Sequence, residues 1–198
     1  MHRRHLLDLL AVYRSPFLEE EAYAARARDF IEAHPDCFDC DFWPAHVTGS
    51  AWVVNADRSR VLLVHHRKHG QWFQPGGHAD GDADVLDVSL RETSEESGLA
   101  PDGIRLLDDR IFDLDIHRIP ASVRGPAHEH IDVRFLVEAD EHLPLRRSEE
   151  SYDVRWVPLA GVSRYNNNRS TYRMVEKTRR LRSSGHLPSR GAIPRTGP

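Results

Sequence analysis

The chain has 198 residues, a length suited to one globular domain with an appendage. With 39% hydrophobic and 29% charged residues it is neither a disordered nor a collagen-like chain, and its apolar runs fall far short of the roughly 20 residues of a membrane-spanning helix. A net charge of −4 argues against a broad surface for duplex nucleic acid and leaves small phosphorylated ligands open. Cys37 and Cys40 are too few for a disulfide framework, and the N-terminus lacks a signal-peptide apolar region, which points to a reducing cytoplasm.

From Leu6 to about Ala33 the pattern predicts two helices, with Leu6, Leu9, Leu10 and Tyr13 on one face, a break at Ser15-Pro16, and Glu19-Glu20-Glu21 opening the second. This helical extension covers residues 1–42 and offers a homodimer contact or a lid. Residues 34–45 are turn-rich and read as a linker. A β-hairpin follows, His46 to Val54 and Arg60 to His66 around Asn55-Ala56-Asp57. The Pro75–Gly77 stretch reads as a loop leading to a helix over Asp84 to Ser97, closed by Gly98. Strands are predicted at Ile111–Ile116, Ile131–Val137 and Tyr152–Val157, and a basic helix at Thr171–Leu181. The main domain therefore spans residues 43–182, and residues 183–198, rich in Ser, Gly, Pro and Arg, read as a disordered tail.

The helix over 84–97 carries the chemistry. Glu92 lies one turn before both Glu95 and Glu96, so three carboxylates gather on one edge. A solvated acidic face is the plain account of such a pattern. Two features favour a site instead. The acids crowd the helix C-terminus, where the macrodipole disfavours negative charge unless a cation neutralises it. A Pro-Gly-Gly segment precedes the helix, and glycine lets backbone approach a ligand and turn a carbonyl inward. Oxygen donors of this kind suit Mg²⁺ or Mn²⁺ beside a diphosphate.

These residues resemble the signature of the Nudix hydrolases, in which Gly, five residues, Glu, seven residues and then Arg-Glu-aliphatic-x-Glu-Glu-x-Gly-aliphatic recur. Gly77, Arg91, Glu92, Glu95, Glu96, Gly98 and Leu99 match at the expected spacings. Ala83 replaces the first Glu, with Asp82 and Asp84 beside it as candidate N-caps, and Thr93 stands where a bulkier aliphatic residue is usual. Over roughly residues 46–160 the resemblance implies an α/β/α sandwich with a mixed sheet. It further implies a metal-dependent hydrolase that cleaves a diphosphate linkage in a nucleoside diphosphate derivative. Glu92, Glu95, Glu96 and the Gly76 carbonyl would hold Mg²⁺ or Mn²⁺, whose bound water attacks phosphorus.

The resemblance assigns Arg91 to orienting Glu92; an ordinary pair with Glu95 is the alternative. The general base is left between Glu92 and Glu149 or Glu150, the latter two reading more readily as a solvated loop. His128, His130, Asp132 and Arg134 alternate onto one strand face, matched by Asp113, Asp115 and His117 on the strand before. That face is either solvent-facing or a substrate-contact wall; a dedicated histidine metal site is a third reading, placed behind both. His78 and Arg67 are further substrate-contact candidates, Arg67 standing in the basic 65–69 end of its strand. Trp72 and Phe73 either stack on a base or close the core. Cys37 and Cys40, with His34 and His46 nearby, have the spacing of half a zinc site, and reduced free thiols are the preferred account. Two rival functions remain: a fold relative that binds nucleotide without turnover, and an isopentenyl-diphosphate isomerase-like enzyme needing a reactive cysteine.

Overall fold

The computed structural model describes residues 3–123 and 125–184. Two helices open it, α1 (Arg4–Val12) and α2 (Leu18–Ala33). Leu6 and Leu10, four residues apart, bury the inner edge of α1. Ser15 Oγ accepts the Phe17 N–H and helps turn the chain into α2, whose first-turn glutamates complement the helix dipole.

Strand β1 (Ala45–Val54) is the spine of a mixed sheet. β2 (Arg60–His66) joins it through a tight turn in which Asn55 Oδ1 accepts the Arg60 N–H and Asp57 Oδ1 accepts the Ser59 N–H. Short β3 (Gln71–Phe73) pairs with β2, and β4 (Gly76–His78) pairs antiparallel with β1. The Pro-Gly-Gly segment is thus partly strand, where the sequence predicts only loop. It is fixed by the register Thr48↔His78 and Ser50↔Gly76.

Helix α3 (Val85–Ser97) has Asp84 as N-cap, accepting the Asp87 N–H, and Gly98 as left-handed C-terminal residue at φ 73°. Then come β5 (Ile104–Leu106), β6 (Asp113–Ile119), β7 (His128–Ala139), β8 (Ser151–Pro158) and α4 (Arg169–Ser184). β6 begins two residues later than its alternation suggests, because register with β7 is set by the pairs Asp113↔Arg134 through Ile119↔His128. Of the predicted tail, Ser183 and Ser184 end α4 and the remainder lies outside the described residues.

β1 runs parallel to β7, which carries β5 and β6 along its far edge; β2 carries β3 and β8 along the other. Alternation along β1 separates two layers. Val47, Gly49 and Ala51 face α3, which comes so close that a Cβ on Gly49 would stand 2.7 Å from the Val85 carbonyl. On the opposite face Trp52 Nε1 donates to Thr178 of α4 at 2.9 Å, above a core of Val54, Val61, Leu136, Val157 and Met174. Leu6, Leu10, Ala27 and Ile31 join Val47, Val85, Leu114 and Val133 in one cluster, so the extension shares the core of the sheet. No described helix is long and apolar enough to cross a membrane.

Alternation places Asp113, Asp115, Asp132 and Arg134 on one face, but burial makes that face an interior. Arg134 is 3% exposed and bonded through Nε to Asp132 and through Nη1 to Asp113, with Asp115 at 3.6 Å. The expectation that it contacts substrate is corrected: the buried carboxylates of Asp113 and Asp132 and the part-buried one of Asp115 occupy it. Arg173 and Lys177 of α4 turn into the same cluster, Lys177 reaching Glu20 at 2.6 Å and Asp113 at 2.9 Å. The predicted basic helix therefore buries part of its charge.

Candidate active site

Ser89, Thr93 and Ser97 form the buried edge of α3, and Ser89 and Thr93 return their hydroxyls to the Leu86 and Ser89 carbonyls. That explains the threonine at position 93, where a bulkier side chain would widen the gap to the sheet. The edge one step round the helix then points Glu92 and Glu96 at β4. Glu96 is 6% exposed; its Oε2 accepts the Gly76 N–H at 3.0 Å and its Oε1 stands 3.4 Å from His66 Nε2. Glu92 lies flat against Gly77, where a Cβ would come within 2.5 Å of the carboxylate. A side chain at position 77 would push the Glu92 carboxylate out of this position.

Burial raises both acids. The Glu96 carboxyl is pushed up to about 8, by desolvation first and by the charges of Glu92, Glu150 and Glu95, against the opposing Gly76 amide bond. Glu92 goes to about 7, by desolvation first, with Arg91 opposing and Glu95, Asp80 and Glu150 adding to the rise. Glu95 is exposed on the neighbouring turn. Arg91 Nη2 lies 3.3 Å from Glu92 Oε1 and 3.4 Å from the His78 carbonyl, which ties Glu92 to β4.

A divalent cation fits this place. Two desolvated carboxylates share it with nearby acidic charge, and Arg91 pairs with Glu92. Among the described residues no three of these carboxylate oxygens stand within 4.8 Å of one another, so side-chain rotation would be needed to close on an ion. Ala83 sits in the core, 8% exposed, and Asp84 caps the helix beside it while Asp82 accepts the Asp84 N–H. Helix entry is thereby held without a glutamate at position 83.

Two positions outside the helix serve the site. Glu149 and Glu150 are both exposed, and Glu150 lies near enough for its charge to raise Glu92 and Glu96. Arg67 donates from Nε to the Ser151 carbonyl, gives its N–H to the Glu150 carbonyl and stacks over Tyr152, so it anchors the turn that carries Glu150. His66, which the sequence places only within the basic 65–69 end of its strand, is brought against Glu96; the signal is its place at the end of β2, across from β3 and next to the glycine segment. Trp72 stacks on His65 and meets Tyr165 edge-on, while Phe73 packs by His66 and His69.

The histidine candidates gather elsewhere. His78 and His130 meet His46 at the N-terminal end of β1, with ring centroids 5.2 and 4.7 Å from it, and His128 lies 4.8 Å away. Burial first, then neighbouring histidines, pushes His130 down to about 2. Burial likewise takes His46 to about 4, so both rings are neutral at physiological pH. Cys37 is fully buried in the core among Leu6 and Ile31, its thiol raised to about 11 by desolvation, and it takes no part in the ligand groups found among the described residues.

Comparison with known proteins agrees with this geometry. A probable DHNTP pyrophosphohydrolase of Lactococcus lactis subsp. cremoris (strain MG1363) is 27% identical over 96 residues, 48% of this chain and 55% of its own length. The chain thus matches only about half of that curated relative. A C. elegans Ap4A hydrolase binary complex superposes with a TM-score of 0.57 at 16% identity, over 71% of this chain and 98% of its own. The NUDIX domain of Shewanella oneidensis NrtR, complexed with ADP ribose, gives 0.51 at 21% identity, over 77% and 96%. At such identities the two structures establish the fold. The NUDIX domain model matches residues 44–178, more than half of the chain, spanning the glycine strand, α3 and the acids on it; this chain belongs to the NUDIX family.

Proposed function

We propose that the chain is a divalent-metal-dependent pyrophosphohydrolase that cleaves a diphosphate linkage in a nucleoside diphosphate derivative. The observation that carries the reading is the Glu92–Glu96 pair packed against Gly76 and Gly77, raised to about 7 and about 8 by burial first and by neighbouring acidic charge. The family's general use of divalent metal ions and the pyrophosphohydrolase name of the Lactococcus relative support the bond class.

Glu92, Glu95, Glu96 and the Gly76 carbonyl would hold Mg²⁺ or Mn²⁺, which neutralises a diphosphate and acidifies a bound water. Glu92, ionising near neutral pH and tethered through Arg91, is suited to take the proton of the attacking water. Glu150, on the turn anchored by Arg67, is the alternative base. The isomerase reading is disfavoured because Cys37 is buried and Cys40 is also shifted up by desolvation, so neither is a ready thiolate.

The test is a panel of nucleoside triphosphates, sugar nucleotides and dinucleoside polyphosphates with Mg²⁺ or Mn²⁺, wild type beside Glu95→Gln and Glu96→Gln. Metal-dependent release of a phosphate product, reduced at least about 100-fold in each variant, is the expected result. Tight binding of a nucleotide by wild type without turnover would replace hydrolysis with the binding reading.

A further inference from the structure

We propose that His46, His78 and His130 form a second metal site, separate from the acidic one, that takes a nitrogen-preferring transition ion of the Zn²⁺ class. The three residues come from β1, β4 and β7, and each offers a ring nitrogen within 4.8 Å of the other two. Register brings them together: His46 lies directly across from His130, and His78 across from Thr48, whose side chain shares the face of His46.

Hydrogen bonding fixes how the rings present themselves. His46 Nδ1 lies 3.3 Å from the Phe42 carbonyl, which can only accept, so the proton belongs on Nδ1 and Nε2 carries the lone pair. His128 is arranged the same way, its Nδ1 2.9 Å from the Pro126 carbonyl and its Nε2 3.2 Å from His130 Nε2. A carbonyl behind the ring is the usual outer support of a metal-bound histidine. His46 is 1% exposed, and its Nε2 is buried with no hydrogen-bond partner among the described residues, although three imidazoles stand around it. An orphaned acceptor of this kind costs stability, and an ion in the centre of the cluster supplies the missing partner.

The donor set selects the ion. Imidazoles suit Zn²⁺, Ni²⁺ and Cu²⁺, whereas Mg²⁺ takes oxygens and belongs with the glutamates. Zn–N bonds of about 2.0–2.1 Å in a tetrahedron imply ligand atoms about 3.4 Å apart, within reach by small ring rotations from the present separations. The fourth position is flanked by His128. Ion binding by these histidines is independent of hydrolysis at the acidic site.

The full-length protein, stripped of metal, is titrated with Co²⁺ and then Zn²⁺. One equivalent of Co²⁺ should give the intense visible absorption of a four-coordinate site, which Zn²⁺ displaces. The absorption should persist in Glu95→Gln and Glu96→Gln. In His78→Ala and His130→Asn, Zn²⁺ affinity should fall at least about 100-fold, with folding of each checked by circular dichroism. His78 is only partly buried, which makes its alanine variant the safer of the two. Absence of the band, its survival in folded histidine variants, or its loss in the glutamate variants would overturn the proposal.

Discussion

Glu92 and Glu96 are ordinary carboxylates by composition and unusual ones by environment. Their acidity is displaced upward because each leaves water for a place already crowded with negative charge. Folding therefore favours their protonated forms, and the linkage has a definite sign. The stabilisation is complete below the unfolded value of about 4.5 and is lost as pH rises through about 7 for Glu92 and about 8 for Glu96. Metal-free protein should lose about 1–3 kcal/mol between pH 5 and pH 9, read from urea midpoints in chelator. Glu92→Gln/Glu96→Gln should flatten that slope, and Mg²⁺ should restore stability at the alkaline end. Glu92 was legible from its spacing and Arg91 through the family motif. His66 was not, since only the pairing of β2 with β3 and the approach of α3 bring it to Glu96.

Helix α4 shows how an element acquires a role that its sequence conceals. Its Arg and Lys residues suggest a solvated basic face, yet Arg173 and Lys177 are buried with Arg134 against Glu20, Asp113, Asp115 and Asp132. Four carboxylates meet three cations, and Asp113 bears the imbalance, its acidity displaced upward to about 6 by burial against the pull of its cations. Glu20 stays depressed beside Lys177, and its carboxylate accepts the Tyr13 hydroxyl and the Leu114 amide. The cluster thus ties α2, β6 and α4 together. Lys177→Met leaves Glu20 and Asp113 short of a cation and should cost about 3–5 kcal/mol in chemical denaturation. Adding Glu20→Gln should recover much of that loss, because the orphaned charge is the main penalty.

At the scale of the molecule, the first 33 residues complete the core of the domain. Leu6, Leu10, Ala27 and Ile31 cover Val47, Leu114, Ile131 and Val133, and Glu20 reaches the β6 backbone. We expect the fragment 34–184 to lose cooperative unfolding by urea, since removing α1 and α2 exposes that cluster and strands Lys177. A fragment that unfolds cooperatively at the midpoint of the full chain would make the extension an independent appendage.

The sequence by itself determined the helix that carries the acids, its closing Gly98, and the family to which the spacing of Gly77, Arg91, Glu92, Glu95 and Glu96 belongs, because these are local patterns; it left the N-cap between Asp82 and Asp84, and the fold gives it to Asp84. Only the tertiary structure decided which polar residues face inward. Alternation puts His130, Asp132 and Arg134 on one face without saying what covers it, and α4, α2 and β4 supply that cover from positions distant in the chain. The same face consequently becomes a salt-bridge core at one end and a histidine cluster at the other, a division set by strand register and burial rather than by residue type.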